Sequence, residues 1–103
     1  MYKDSQFNGK GFYKWPDGRT YQGYYEYDKK EGFGIYTWPD GKEYQGFWSN
    51  GVQEGVGQFK NTKGQIRVGT WQQGKRVAWL RDEEEQQAVE QIENQKAKMD
   101  QED

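Results

Sequence analysis

Cysteine and histidine are both absent from this chain of 103 residues. Their absence excludes disulfides, thiolate nucleophiles, histidine general bases and zinc sites of the common Cys/His type. No apolar run approaches the roughly 18 residues of a membrane-spanning helix. The first residues also lack the apolar core of a signal peptide. We therefore expect a cytoplasmic chain with no catalytic, metal or cofactor site.

Apolar residues are also scarce, at 31 % of the chain, although 17 % of all residues are Phe, Tyr or Trp. Disordered chains are poor in aromatic residues, and each ring buries a large area, so that a few rings can build a thin core. The 14 glycines are spread along the chain rather than clustered in a linker. This composition indicates a folded domain with an aromatic core.

Charge is distributed unevenly between the two ends of the chain. Residues 81–103 contain nine acidic and three basic residues, so the net charge of -2 divides into -6 for this tail and +4 for residues 1–80. The basic residues of the first part are mixed with acids, and the isoelectric point is about 5.2. We therefore expect no nucleic-acid binding, which needs a concentrated basic patch.

The sequence repeats itself when it is shifted by 23 residues. Most of the recurring positions hold glycine or an aromatic residue: Gly11, Tyr13, Trp15, Gly18, Tyr21, Gly23, Gly34, Tyr36, Trp38, Gly41, Tyr44, Gly46, Trp48, Gly57, Gly69 and Trp71. Self-similarity at a fixed period is typical of repeat proteins, in which each unit packs on its neighbours.

Each unit has the pattern of a β-hairpin. In residues 32–38 the even-numbered positions hold Gly, Gly, Tyr and Trp, and alternate residues of a strand share a face. Trp-Pro-Asp-Gly is a turn sequence, because Pro presets φ and Gly leaves the turn without a Cβ clash. We predict an all-β repeat array of successive antiparallel hairpins in an elongated, twisted sheet, followed by a C-terminal α-helix. Its strands are expected at residues 9–15, 20–25, 32–38, 43–48, 55–60 and 65–71.

The glycines within these strands suggest how the aromatic residues pack. Glycine inside a strand normally weakens it, but a glycine beside a Tyr or Trp leaves room for the ring to lie across the sheet. Stacked units would then share one continuous face of glycines and rings. These aromatic residues either form the core or contact a ligand directly, and both interpretations remain open at this point.

The pattern Gly-x-Gly-x-Tyr followed by Trp-Pro-Asp-Gly-x-x-Tyr-x-Gly-x-Trp resembles the MORN (membrane occupation and recognition nexus) repeat. The resemblance implies a non-catalytic scaffold that binds proteins and, in some members, lipid. We place a half repeat at residues 1–8 and repeats at about residues 9–31, 32–54 and 55–76. An apolar connector and an acidic helix are expected at residues 77–103.

The two ends of the array depart from the pattern. The third copy has Asn61-Thr62-Lys63-Gly64 in place of Trp-Pro-Asp-Gly, and Arg67 in place of the Tyr, as expected of a capping repeat. At the other end, Tyr2 aligns with Tyr25, so the chain is expected to begin within the second strand of a hairpin. We expect an exposed strand edge there to pair with another chain.

Residues 81–99 contain neither Gly nor Pro and are rich in strong helix formers. Three glutamates lie near the expected helix start, where the helix dipole favours anions. Val89, Ile92 and Met99 follow a heptad spacing and form a narrow apolar stripe. The helix is either solvated, with the apolar connector capping the sheet, or it docks on a partner through this stripe.

Two functions are compatible with these features. The first is a non-catalytic protein–protein interaction scaffold in a ciliary axoneme, such as a radial spoke, or in another cytoskeletal complex, because small ciliary MORN proteins have a similar layout. The alternative is a phosphoinositide or membrane-surface binding module, which the +4 charge of the array supports weakly. The candidate partner contacts are Tyr2, Phe12, Tyr24, Phe33, Phe47, Val89, Ile92 and Met99.

Overall fold

The structure, a computed structural model, describes residues 2–3, 6–7 and 9–101, and only the backbone of the first two segments. Two short strands, β1 (Tyr2–Lys3) and β2 (Gln6–Phe7), pair with each other. A seven-stranded sheet and the helix α1 (Asp82–Gln101) follow. The strands of the large sheet are β3 (Gly9–Lys14), β4 (Thr20–Glu26), β5 (Lys29–Thr37), β6 (Glu43–Ser49), β7 (Val52–Lys60), β8 (Ile66–Gln72) and β9 (Lys75–Trp79).

Each strand of the large sheet pairs antiparallel with the next strand along the chain, from β3 at one edge to β9 at the other. The molecule measures 44 × 27 × 27 Å, so it is elongated along one axis. The predicted class, an all-β array of hairpins with a C-terminal helix, is confirmed. Such a meander contains only local strand pairings, because every strand meets the strand that precedes or follows it.

The Trp-Pro-Asp-Gly segments form the turns within the repeats. The N–H of Gly18 donates to the carbonyl of Trp15 (3.0 Å), and Gly18 has a φ of 103°, which favours glycine. The carboxylate of Asp17 accepts the N–H of Arg19. In the third copy, the amide oxygen of Asn61 accepts the N–H of Lys63 (2.9 Å) in the same way. The departure in sequence therefore leaves the turn intact.

Tight two-residue turns connect one repeat to the next. Tyr27 and Asp28 have φ values of 52° and 66°, as a type I′ turn requires. Because these turns are so short, β5 and β7 begin at residues 29 and 52, three residues before the predicted starts. A glutamate side chain of the neighbouring strand accepts a hydrogen bond from each of the next two turns. Glu31 accepts the N–H of Asn50 at 3.0 Å, and Glu54 accepts the N–H of Gln73 at 2.9 Å. The repeats are thus joined by side chains as well as by the sheet.

The strands align their glycines in one row across the sheet. The paired positions along this row are Gly11, Gly23, Gly34, Gly46, Gly57 and Gly69. A Cβ built on Gly46 would lie 2.6 Å from both the Tyr44 hydroxyl and the Cα of Gly57. The glycines therefore make room for rings that lie across the sheet, as the sequence predicts.

The helix packs on the opposite face of the same sheet. Ile92 and Met99 are buried there together with Phe33. The helix follows β9 at one edge of the sheet, and the carbonyl of Met99 accepts a hydrogen bond of 2.6 Å from Nζ of Lys10, on β3 at the other edge. Twenty residues of helix span about 30 Å, close to the width of seven strands at about 4.8 Å spacing. The helix is therefore long enough to cross the whole sheet.

Two details of the C-terminal part differ from the expectation. The segment from residue 77 was expected to be a connector, but residues 75–79 form the last strand, and the sheet extends to Trp79. The N–H of Leu80 still donates to the carbonyl of Val68 (2.8 Å). The helix begins at Asp82 and ends at Gln101. Its apolar stripe covers the chain's own sheet, because both surfaces are apolar and the short connection brings them together.

Candidate interaction surface

One face of the sheet, here called the aromatic face, carries most of the rings of the repeats. Its core consists of buried side chains: Tyr21, Tyr25, Tyr36, Tyr44, Trp48 and Trp71. Four further rings, of Trp15, Trp38, Phe59 and Trp79, pack against this core and remain partly exposed. The two interpretations of the aromatic residues therefore apply to different positions, since the first group forms the core and the second is accessible to a partner.

The buried rings hold one another in edge-on contacts. Tyr44 meets Trp48 at 5.2 Å and Trp71 at 4.9 Å between ring centroids, with interplanar angles of 84° and 78°. The Tyr44 hydroxyl donates to the carbonyl of Phe47 at 3.1 Å. Burial raises the pKa of Tyr44 well above its usual range, and it raises the pKa of Tyr25 to about 12. These rings form a rigid, neutral platform below the exposed ones.

Basic side chains lie on the rings of this face. The guanidinium of Arg19 lies 5.1 Å from the Trp15 ring and donates to the hydroxyl of Tyr36 at 3.2 Å. Trp79 is in contact with two guanidinium groups, those of Arg67 at 4.3 Å and Arg76 at 4.5 Å. Contacts of this kind are favourable because the ring face is electron-rich. They also place positive charge along the edge of the exposed rings.

Several acidic side chains of the sheet are engaged in turns. The carboxylate of Asp17 accepts the backbone N–H of Arg19, and this hydrogen bond holds the pKa of Asp17 below its usual value. Asp40 accepts the N–H of Lys42 in the second repeat, with the same effect on its pKa. Glu54 is bonded to the turn at Gln73. These carboxylates have structural roles that explain their positions without catalysis.

A groove of about 310 Å³ opens on the aromatic face between the second and third repeats. We call it the indole groove and define it by the residues that line it: Trp38, Gln53, Phe59, Trp71, Arg76 and Trp79. A second depression of about the same volume shares Trp38 and Gln53 and continues toward Lys30. The aromatic face therefore offers a continuous concave path across adjacent repeats.

The structure places the predicted partner contacts mainly inside the molecule. Phe33 and Ile92 are 2 % and 1 % exposed, and Met99 is fully buried. Tyr24, Phe47 and Val89 are partly buried, whereas Phe12 is 62 % exposed. The side chain of Tyr2 lies outside the described part of the chain, although its backbone pairs with Phe7 as Tyr25 pairs with Lys30. The apolar stripe of the helix and the second face of the sheet thus pack against each other.

None of the six groove residues was among the predicted partner contacts. Trp38, Phe59 and Trp71 occupy repeat positions, Trp79 was assigned to a connector, and Gln53 and Arg76 were not singled out. A signal for two of them is present in the sequence, because the 23-residue shift aligns Lys30 with Gln53 and then with Arg76. The depth of the groove depends on how the sheet continues into β9, which the repeat pattern does not indicate.

The geometry defines a protein built of hairpin repeats with one aromatic face. The sequence pattern of the MORN repeat matches residues 1–18, 21–43 and 44–66, and the chain belongs to the MORN repeat family. MORN repeats are generally protein- or membrane-interaction modules, and the family is non-enzymatic. The matched segments end at residue 66, whereas the sheet continues through β8 and β9. A comparison with curated proteins finds no match.

The described residues offer neither a membrane-spanning helix nor a metal site. No helix among them is long and apolar enough to cross a membrane. No group of three or more acidic, histidine or cysteine side chains among them is arranged to hold a metal ion.

Proposed function

We propose that this chain is a non-catalytic protein–protein interaction scaffold, and that it serves in a cytoskeletal assembly of the cytoplasm such as the ciliary axoneme, for example in a radial spoke. The observation that carries the interaction function is the aromatic face with its partly exposed Trp38 and Trp79. Aromatic residues and arginine are the residue types enriched at protein interfaces. The ciliary part of the proposal rests on the resemblance to small ciliary MORN proteins.

The rigidity of the surface supports the same proposal. The rings that line the groove rest on buried, mutually packed tyrosines and tryptophans, so a partner would meet a surface that is already ordered. Preformed surfaces lose little side-chain entropy on binding. The sheet also presents its groove across two repeats, which suits an extended partner segment better than a small molecule.

Affinity capture with the tagged full-length chain tests this function. Extracts from ciliated and non-ciliated cells would be compared by quantitative mass spectrometry, with wild type beside Trp38→Ala on the aromatic face and Phe12→Ala on the opposite face. We expect axonemal proteins to be recovered from ciliated cells and to be lost with Trp38→Ala. Loss with Phe12→Ala instead would move the contact to the helix-bearing face. Recovery of cytoskeletal proteins other than axonemal ones would contradict the ciliary assignment alone.

A phosphoinositide-binding function is the second candidate, because the array has a net charge of +4 and carries Lys30, Arg67 and Arg76 on its aromatic face. Some of the lysines are engaged: Lys60 lies 4.0 Å from the carboxylate of Glu43. Sedimentation with anionic phosphatidylcholine/phosphoinositide vesicles distinguishes the two functions. Salt-sensitive vesicle binding, together with no stoichiometric protein partner, would replace the scaffold proposal.

A further inference from the structure

The first complete repeat fills the space above its rings with its own cation. Nζ of Lys30 lies 5.2 Å from the ring of Trp48 and 5.6 Å from the rings of both Tyr21 and Tyr36. The side chain is partly buried. Burial is the main cause that lowers the pKa of Lys30, and the nearby positive charge of Arg19 lowers it further. Three rings around one ammonium group form an aromatic cage of the kind that binds cationic ligands. In this repeat the cage is occupied from within the chain.

The next repeat has the same cage without the cation. A shift of 23 residues replaces Lys30 by Gln53 and replaces the three rings by Tyr44, Phe59 and Trp71. The glutamine side chain is shorter and neutral. The indole groove opens at this position and is lined by Gln53, Phe59 and Trp71. The ammonium group that lies on the rings in one repeat is therefore replaced in the next by a neutral amide that lines the groove.

The charge around this opening is positive rather than negative. A second shift of 23 residues leads from Gln53 to Arg76, whose guanidinium lies against Trp79 and lines the groove. Arg67 lies on Trp79 as well and is exposed. None of the six residues that line the groove is acidic. A cationic ligand would be repelled here, whereas a carboxylate could accept the paired N–H donors of an arginine.

The acidic helix, over its described residues 82–101, does not line this groove. The helix α1, which carries the acidic residues, packs on Phe33 and its neighbours on the other face of the sheet. The groove thus combines three apolar indole rings and a phenyl ring with one guanidinium and one amide. It matches a segment that carries an apolar side chain next to a carboxylate.

We propose that the indole groove binds an extended acidic segment of a partner protein, with a carboxylate side chain on Arg76 and an apolar side chain against the rings of Trp38 and Phe59. This inference rests on the proposed scaffold function and names the chemistry of the partner. The occupant is chosen by charge complementarity between the basic edge of the groove and an acidic segment.

Synthetic peptides test the chemistry of the occupant. The probes are short peptides in which Glu alternates with Leu or Phe, and matched peptides in which Lys replaces Glu. Binding to the full-length chain is measured by calorimetry, and its place is read from the five tryptophan indole N–H signals in NMR spectra. We expect the acidic peptides to bind about ten-fold more tightly than the basic ones. The indole signals of Trp38 and Trp79 should shift, while that of Trp15, on the same face outside the groove, should not.

Two substitutions separate the groove from general attraction between charges. Gln53→Lys should place an ammonium group over the groove rings, as Lys30 does in the repeat before it, and weaken binding about ten-fold although it adds a positive charge. Arg76→Gln should weaken binding by a similar factor, because a charge-assisted hydrogen bond is lost. Lys63→Gln, which makes the same charge change on an exposed turn, should alter affinity less than about two-fold. Circular dichroism melting of each variant shows whether it folds.

Several results would overturn the inference. Tighter binding by Gln53→Lys would show that charge alone attracts the peptide. Equal affinity for acidic and basic peptides, or acidic binding weaker than about 1 mM, would exclude an acidic segment. Self-association that shifts the same indole signals would assign the groove to a second copy, and competition by phosphatidylserine-containing vesicles would assign it to lipid. If both groove variants still capture the cellular partners, the groove inference fails while the scaffold function stands.

Discussion

Glycine and tyrosine depend on each other in the first two repeats. The ring of Tyr44 lies across the sheet, with its hydroxyl bonded to the carbonyl of Phe47 at 3.1 Å, and Gly46 and Gly57 provide the space below it. Tyr21 has the same arrangement in the repeat before, where its hydroxyl donates to Tyr24. Glycine is required here by close approach, because a Cβ on either side would occupy the volume of the ring.

Alanine at Gly46 should therefore be strongly destabilising. The new Cβ would lie 2.6 Å from the Cα of Gly57, a backbone atom that cannot move without disturbing the sheet. We expect a loss of about 3 kcal/mol in the free energy of unfolding, measured by urea denaturation. Gly11→Ala is the matched control in the same row, since its Cβ would meet only Tyr25 at 3.9 Å. Equal destabilisation of the two variants would contradict the packing role of the glycine row.

The buried tyrosines should make the protein sensitive to alkaline pH. Burial raises the pKa of Tyr25 from 10.0 to about 12, so the unfolded state releases this proton first. The stabilisation is complete below about pH 10 and is lost as the pH rises toward 12. We expect the melting temperature to fall over this range, and to fall less for Tyr25→Phe. Tyr27→Phe changes an exposed ring and should behave like wild type; a flat profile for wild type would refute the coupling.

The helix is the element whose role depends most on context. Its apolar stripe is narrow, and a helix of this length is marginal in water without tertiary contacts. Four acidic residues in its first turn suit the helix dipole. At the other end, Lys10 donates to the carbonyl of Met99, which satisfies one of the free carbonyls of the last turn. The sheet thus supplies both the apolar contact and the charge that the helix needs.

Removal of side-chain volume at Ile92 should loosen this contact. Ile92 is 1 % exposed and packs with Phe33. We expect Ile92→Ala to lower the free energy of unfolding by about 2–4 kcal/mol, measured by chemical denaturation. Gln91→Ala, at the neighbouring exposed position, should stay within about 0.5 kcal/mol of wild type. If both substitutions had the same small effect, the helix would not be docked in solution.

At the scale of the whole molecule, the two faces of the sheet differ in how far they are covered. The helix covers Phe33, Ile35 and Phe47 on one face. The aromatic face has no such cover in the described part of the chain, and its indole groove remains open. This asymmetry leaves the aromatic face open, and it is the face that we propose for partner binding.

Deletion of residues 81–103 should expose the sheet face that the helix covers. The truncated chain would expose Phe33 and its neighbours, and large exposed apolar patches promote association. We expect concentration-dependent self-association by light scattering and increased binding of a hydrophobic dye, neither of which the full-length chain should show. A truncated chain that remains monomeric and dye-silent would indicate that the helix does not protect this face.

Most of the fold is visible in the sequence because its interactions are local. Each hairpin is specified by its own turn and by the alternation of Gly with rings, as residues 32–48 show, and every strand pairs with its neighbour along the chain. The tight turn at Tyr27 and Asp28 was not predicted, because tyrosine is not typical of the left-handed conformation and no glycine follows Asp28. Strand β9 was not predicted, because it has no glycine and only one of the aromatic residues that define the repeat.

The 23-residue spacing of Gly, Tyr and Trp by itself determined the hairpin array, its register and the faces that carry the rings, because the two-residue alternation of a strand makes these properties local. Only the tertiary structure decided what each face does. Whether the stripe at Ile92 and Met99 meets a partner, water or Phe33 depends on contacts between residues far apart in the chain. The opening beside Gln53 likewise results from the second repeat, the third repeat and β9 packed side by side.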